Sequence, residues 1–155
     1  MKLDRLDTRI LAVLQEDGRL PLQDVGEAVG LSASQCGRRL RRLEEARLVS
    51  GYAALLDPVA FGFDVTAFVT VTLAQHGEAP AARFHRAIER LPNILECWAV
   101  TGEGDYLLRV VAANLKAFSD VLMHDLLALP EVANVKSNIA LDRIKQTTAL
   151  PLSTT

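Results

Sequence analysis

The stretch from Leu22 to Leu43, LQDVGEAVGLSASQCGRRLRRL, constrains this chain more than any other. Val25, Val29, Leu31, Cys36 and Leu40 are apolar at spacings that two short helices folded against each other bury together. Gly26 lets the helices cross closely, and Gly30 supplies the left-handed backbone of a sharp corner. This is the pattern of a helix-turn-helix. Ser32 follows the corner as an N-cap, so the second helix is predicted to begin at Ala33.

Successive residues of that helix rotate by about 100°. Cys36, Leu40 and Leu43 therefore share a buried stripe, and Ser34, Gln35, Arg38, Arg41 and Arg42 lie opposite it. Short polar side chains followed by guanidiniums suit a recognition helix, whose first turns meet base edges in the major groove while its cations reach phosphates. The expected DNA-contacting set is Ser32, Ser34, Gln35, Arg38, Arg39, Arg41 and Arg42. The RRLRR run by itself is equally the solvated face of a surface helix; its coupling to the Gly26, Gly30 and Ser32 corner favours DNA. The net charge of −2 argues weakly against nucleic acid. Residues 1–52 carry nine Lys or Arg against eight acids, with the positive charge gathered between Arg38 and Arg42, so contact is expected from one helix face only.

Ahead of this motif, Leu6, Ile10, Leu11 and Leu14 recur at helical spacing between Asp4 and Gln15, and Glu16-Asp17-Gly18 ends the helix. After it, Leu48, Val49, Tyr52, Ala54 and Leu56 read as a short wing or strand, and Asp57-Pro58 as a linker. From Val65 the period becomes two: VTAFVTVTL places Val65, Ala67, Val69, Val71 and Leu73 on one face of a strand. Pro80, expected at a helix N1 position, opens a helix with Phe84, Ala87, Ile88 and Leu91 inward, closed by Pro92. Ile94–Val100 and Tyr106–Ala112 read as strands around the TGEGD turn. Asn114 caps a helix with Phe118, Leu122, Leu126 and Leu129 inward, and Val132–Leu141 is the last strand.

The resulting βαββαβ order, with Leu-Pro repeated before the second and fourth strands, is the split-βαβ, ferredoxin-like plan. The fold class is thus α+β: a winged helix-turn-helix domain over residues 1–56, a linker over 57–63, and a ferredoxin-like domain over 64–155. Both helices of that plan cover one sheet face. Yet Trp98 and Val100 alternate with Leu95, Cys97 and Ala99, so both faces of this strand are apolar and a second copy is expected to cover the open one. Cys36 and Cys97 are expected to be buried, reduced thiols, with no metal site and no cofactor. No apolar run reaches the roughly 18 residues of a membrane span, and the charged N-terminus is unlike a signal peptide, so a cytoplasmic location is expected.

The opening LDRLDTRILAVLQEDGR, the corner VGLSASQCGRRLRRLEE, the exit VSGYAALLDP, the hairpin VTGEGDYLLRV and the tail KQTTALPL, in this order, resemble the Lrp/AsnC family of bacterial and archaeal transcriptional regulators. The resemblance covers nearly the whole chain. It implies gene control responsive to amino acids, binding to double-stranded DNA, and homodimers that often assemble into octamers. It also implies an effector site at Gly102, Gly104, Asp105 and Tyr106, with Ser137 where relatives often carry Thr. Free amides of a glycine-rich turn can take a carboxylate, and Asp105 an ammonium. The residues alone also admit an ordinary turn, with Gly102 and Gly104 at φ > 0 and Asp105 bonded to its own backbone. Two positions depart from the family pattern: Arg47 and Glu131 stand where relatives usually have glycine. The alternative on the same architecture is a sirohaem-decarboxylase-like enzyme, for which His76, His85 and His124 are the only histidines; a non-enzymatic regulator is the expected reading.

Overall fold

The structure is a computed structural model and describes residues 3–152; the outermost residues of both expected domains lie outside that range. The chain forms two compact units, residues 3–55 with 145–152, and residues 56–144. The tail, counted with the second domain from sequence, returns to the first unit. There Gln15 donates to the Leu150 carbonyl (3.2 Å) and accepts from its amide (2.6 Å).

The first unit contains α1 (Arg5–Glu16), α2 (Leu22–Val29) and α3 (Ala33–Glu45). Ile10, Val25, Val29 and Cys36 form its core, with Val13, Leu14, Leu20 and Leu31 packed around them. The corner follows the sequence: Gly30 is left-handed at φ 78°, and the Leu31 amide bonds back to the Gly26 carbonyl at 2.9 Å. A Cβ on Gly26 would lie 2.5 Å from the Leu31 carbonyl oxygen, so the small residue serves the turn itself. Ser32 caps α3 through a reciprocal capping box with Gln35. The expected wing does not form: residues 51–57 run without strand pairing, and among the described residues of this unit there is no other strand for them to pair with.

The second unit contains β1 (Val65–Leu73), α4 (Glu78–Ile88), β2 (Ile94–Ala99), β3 (Tyr106–Ala112), α5 (Leu115–Asp120) and β4 (Val132–Ile139). The four-stranded antiparallel sheet has the order β2-β3-β1-β4 expected of the βαββαβ plan. Val65, Ala67, Val69, Val71 and Leu73 of β1 face Phe84 and Ile88 of α4 and Phe118 of α5 in one core. Two helix details differ from expectation. Helix α4 starts at Glu78, which puts Pro80 at N3, still among the amides that lack an intrahelical partner. Beyond α5 the backbone widens into a π turn over Val121–Leu126, where the Leu127 amide bonds to the Leu122 carbonyl at 2.9 Å.

The other sheet face is open. It carries Phe68 of β1, Leu107 and Arg109 of β3, and Glu96 and Trp98 of β2. Trp98 is 62 % exposed and Phe68 41 %. Cys97, expected to be buried, is exposed: β2 is an edge strand, beyond the cover that the helices give to β1 and β3.

Candidate nucleic-acid interface and effector hairpin

Asp7 organises the surface of α3 from below. It stands on α1 in line with Ile10 and Leu14 and is wholly buried, so its charge requires partners. Arg39 donates from Nη1 to Asp7 Oδ1 and to Asp4 Oδ2, both at 2.7 Å, and Arg42 Nη2 donates to Asp7 Oδ2 at 2.6 Å. Asp4 and Asp7 also form the reciprocal capping box of α1. The backbone amide of Asp7 and the Arg39 guanidinium together hold the Asp4 carboxyl below its ordinary range.

The sequence grouped Arg39 and Arg42 with the other arginines; the structure turns both toward α1. Arg39 is 22 % exposed, whereas Arg42 is 49 % exposed and uses one donor. Among the described residues, no hydrogen bond or ion pair holds Arg38 or Arg41. Ser34, Arg38 and Arg41 line one exposed edge of α3 at helical spacing. The four guanidiniums and Glu45 border an open hollow of about 390 Å³. Ser32 and Gln35 spend their facing oxygens on the cap, leaving the Gln35 amide nitrogen to meet other groups.

The residues of the expected effector site are not all in one place. Gly102 has φ 127° and needs glycine. Gly104 lacks the left-handed backbone expected of it; it is small because a Cβ would collide with Thr70 Cγ2 on β1. Asp105 bonds the end of β1, not its own turn: its Oδ2 accepts from the Leu73 amide at 2.7 Å, and its Oδ1 lies 3.6 Å from His76 Nδ1. Tyr106 is buried in the helix-covered core, 2.9 Å from His85 Nε2 through its hydroxyl and 4.7 Å from the Phe84 ring between centroids. Ser137 lies exposed on β4, paired with Val69, with β1 and β3 between it and β2. A polar cleft of about 370 Å³ lies beside the hairpin, lined by Thr70, Thr72, Glu103, Asn134 and Lys136.

The histidines do not converge. His76 follows β1, His85 sits on α4 against Tyr106, and His124 lies in the π turn 3.9 Å from Asp120. Among the described residues, no group of three His, Cys, Asp or Glu side chains is placed to hold a metal, and no helix is long and apolar enough to cross a membrane.

Comparison with known families decides what these two units are. Residues 3–44 match the AsnC-type helix-turn-helix domain, and residues 66–150 match the Lrp/AsnC ligand binding domain. The chain belongs to the Lrp/AsnC family. It is 38 % identical over 150 residues to the DNA-binding transcriptional activator DecR of Escherichia coli, covering 97 % of this chain and 99 % of that protein. It is 40 % identical to the Bkd operon transcriptional regulator of Pseudomonas aeruginosa, with the same coverage of each chain. Among solved structures, a transcriptional regulator from Neisseria meningitidis in complex with L-Met superposes with a TM-score of 0.94 at 40 % identity, covering 97 % of both chains. An AsnC family regulator from Agrobacterium tumefaciens gives a TM-score of 0.91 at 38 % identity, again covering 97 % of both. Lrp/AsnC proteins of this kind are DNA-binding transcriptional regulators that pair a helix-turn-helix with a ligand-binding domain, and this chain carries both parts.

Proposed function

We propose that this Lrp/AsnC chain reads its operator with α3 and that an amino acid tunes the reading from the hairpin after β2. The observation that carries the proposal is the sorting of the arginines: Arg38 and Arg41 are exposed and unpaired among the described residues, on the edge that also carries Ser34. In this reading Ser34, Gln35 and Arg38 meet base edges, Arg41 and Arg42 meet phosphates, and Ser32 holds the first turn of α3 in place. An arginine near the groove floor can donate two hydrogen bonds to guanine O6 and N7.

The solved relative that holds L-Met supports an amino acid as the effector class. The free turn around Gly102 would take its carboxylate and the open side of Asp105 its ammonium, with Tyr106 and Ser137 shaping the surroundings. The exposed Trp98 and Phe68 support a homodimer closed through the open sheet face, with further assembly into octamers, and a cytoplasmic, non-enzymatic role follows from the regulator reading. The test joins calorimetry against the twenty amino acids to a gel shift on the DNA upstream of the chain's own gene. One binding amino acid and a retarded duplex are expected; a chain that retards no duplex would refute the reading.

A further inference from the structure

We propose that Asp7 is a specificity-determining residue for DNA binding, acting through Arg39 and Arg42 without touching DNA. The inference rests on the operator reading above and concerns which of the α3 cations are available to phosphates. Asp7 is wholly buried, and together with Asp4 it sets two carboxylates against two guanidiniums. This cluster is neutral, so its carboxylates offset the charge that two arginines would add to the field attracting any duplex, and Arg39, bound by both acids, is withheld from phosphates altogether.

The two arginines are held differently. Arg39 is bound by both acids and is a positioning residue that ties α3 to the start of α1. Arg42 is steered by a single bond to Asp7 and keeps its other donors free for one phosphate in a fixed register. Both border the same hollow as Arg38 and Arg41, so an Arg39 guanidinium released from Asp7 has open space beside the free cations. A helix with all its arginines loose would bind every duplex tightly; with Arg39 bound to carboxylates, the base contacts of Arg38 carry a larger share of the affinity. Specificity here is obtained by withholding non-specific contacts.

The test uses the full chain and two duplexes of equal length, one from the gene's own upstream region and one of random sequence, titrated between 50 and 200 mM salt. Asp7→Asn keeps the shape of the side chain and its capping contacts while removing its charge. The logarithmic salt slope on random DNA is expected to steepen by about 0.9 for each arginine that reaches a phosphate. Affinity for random DNA at the low end should rise, and the ratio of specific to random affinity should fall. Arg39→Met tests the same point from the partner's side: it should leave the slope on random DNA unchanged, whereas Arg41→Ala lowers it. An unchanged slope in a folded Asp7→Asn, or a slope lowered by Arg39→Met, would overturn the inference while leaving the operator reading intact. A wild type without affinity for either duplex would overturn both.

Discussion

Arg38 and Arg39 are neighbours in sequence and opposites in environment. A rotation of 100° carries Arg39 onto two carboxylates and leaves Arg38 in solvent, so a charge run that reads as uniform resolves into solvent-facing and carboxylate-bound members. Arg38→Ala is therefore expected to cost about 1 to 3 kcal/mol on the operator and little on random duplex, measured by anisotropy titration of both. Equal losses on the two duplexes would remove Arg38 from the base-reading set. The buried acid behind this sorting had a signal in the sequence, since Asp7 falls on the apolar stripe of Ile10 and Leu14, where an unpaired carboxylate is too costly to keep. What sequence alone withholds is the partner, because Arg39 and Arg42 lie more than thirty positions away along the chain. A second residue-scale contact titrates: burial and Glu44, which accepts from the Tyr52 hydroxyl at 2.9 Å, push the Tyr52 phenol up to about 12. A raised phenol pKa means that this contact stabilises the fold fully below the ordinary value of 10 and is lost as pH rises toward 12. Phenolate absorbance should show a step near 12 that Tyr52→Phe removes; a step at 10 would show that the bond is absent in solution.

Helix α3 ends in a Schellman motif assembled around a residue that resists it. The Leu48 amide bonds to the Leu43 carbonyl at 3.0 Å and the Arg47 amide to the Glu44 carbonyl at 2.8 Å, which places Arg47 at C′ with φ 54°. Glycine is at ease in that region and arginine is not, so Arg47→Gly is expected to stabilise the chain by about 1 kcal/mol and raise Tm by about 2 to 4 °C. A lower Tm would mean that the Arg47 side chain contributes more than the strain costs. Glu131, the other departure from the family pattern, needs no glycine backbone. It is nearly buried and accepts from Arg83 of α4 at 2.6 Å, which holds its carboxyl below the usual range. Helices, strands and their order were legible because each is an amphipathic period bounded by Pro, Gly, Ser or Asn. The π turn was written only in the i, i+4, i+4 spacing of Phe118, Leu122 and Leu126, which an α-helical reading absorbs without complaint. Where the hairpin side chains point was not legible from their adjacency: Tyr106, the first residue of β3, turns into the helix-covered core, while Asp105 just before it bonds the Leu73 amide at the end of β1.

At the scale of the whole molecule, the sheet register shows which face of the sheet is left open by the helices. Val110 is fully buried under the helices and Trp98 stands on the open face, an assignment that alternation within one strand cannot make. Trp98→Asp is expected to shift the protein toward monomer by light scattering with circular dichroism unchanged, whereas Val110→Asp should unfold the second unit. An unaltered oligomer in Trp98→Asp would move the interface off this face. The switch requires effector and DNA to be coupled, and such coupling is reciprocal and usually worth about 1 to 3 kcal/mol, or about 5- to 150-fold in affinity. In the proposed reading the ammonium partner is Asp105, and because one of its oxygens accepts from the Leu73 amide, Asp105→Asn is the informative change: it keeps that bond and removes the charge an ammonium would need. The decisive measurement is an anisotropy titration of the upstream duplex, with and without the amino acid selected by calorimetry, for wild type and Asp105→Asn. The amino acid is expected to shift the wild-type Kd by about 5- to 150-fold, while the variant binds effector-free DNA as wild type does and shows no shift. A full shift in Asp105→Asn at the same effector concentration would contradict the proposed reading.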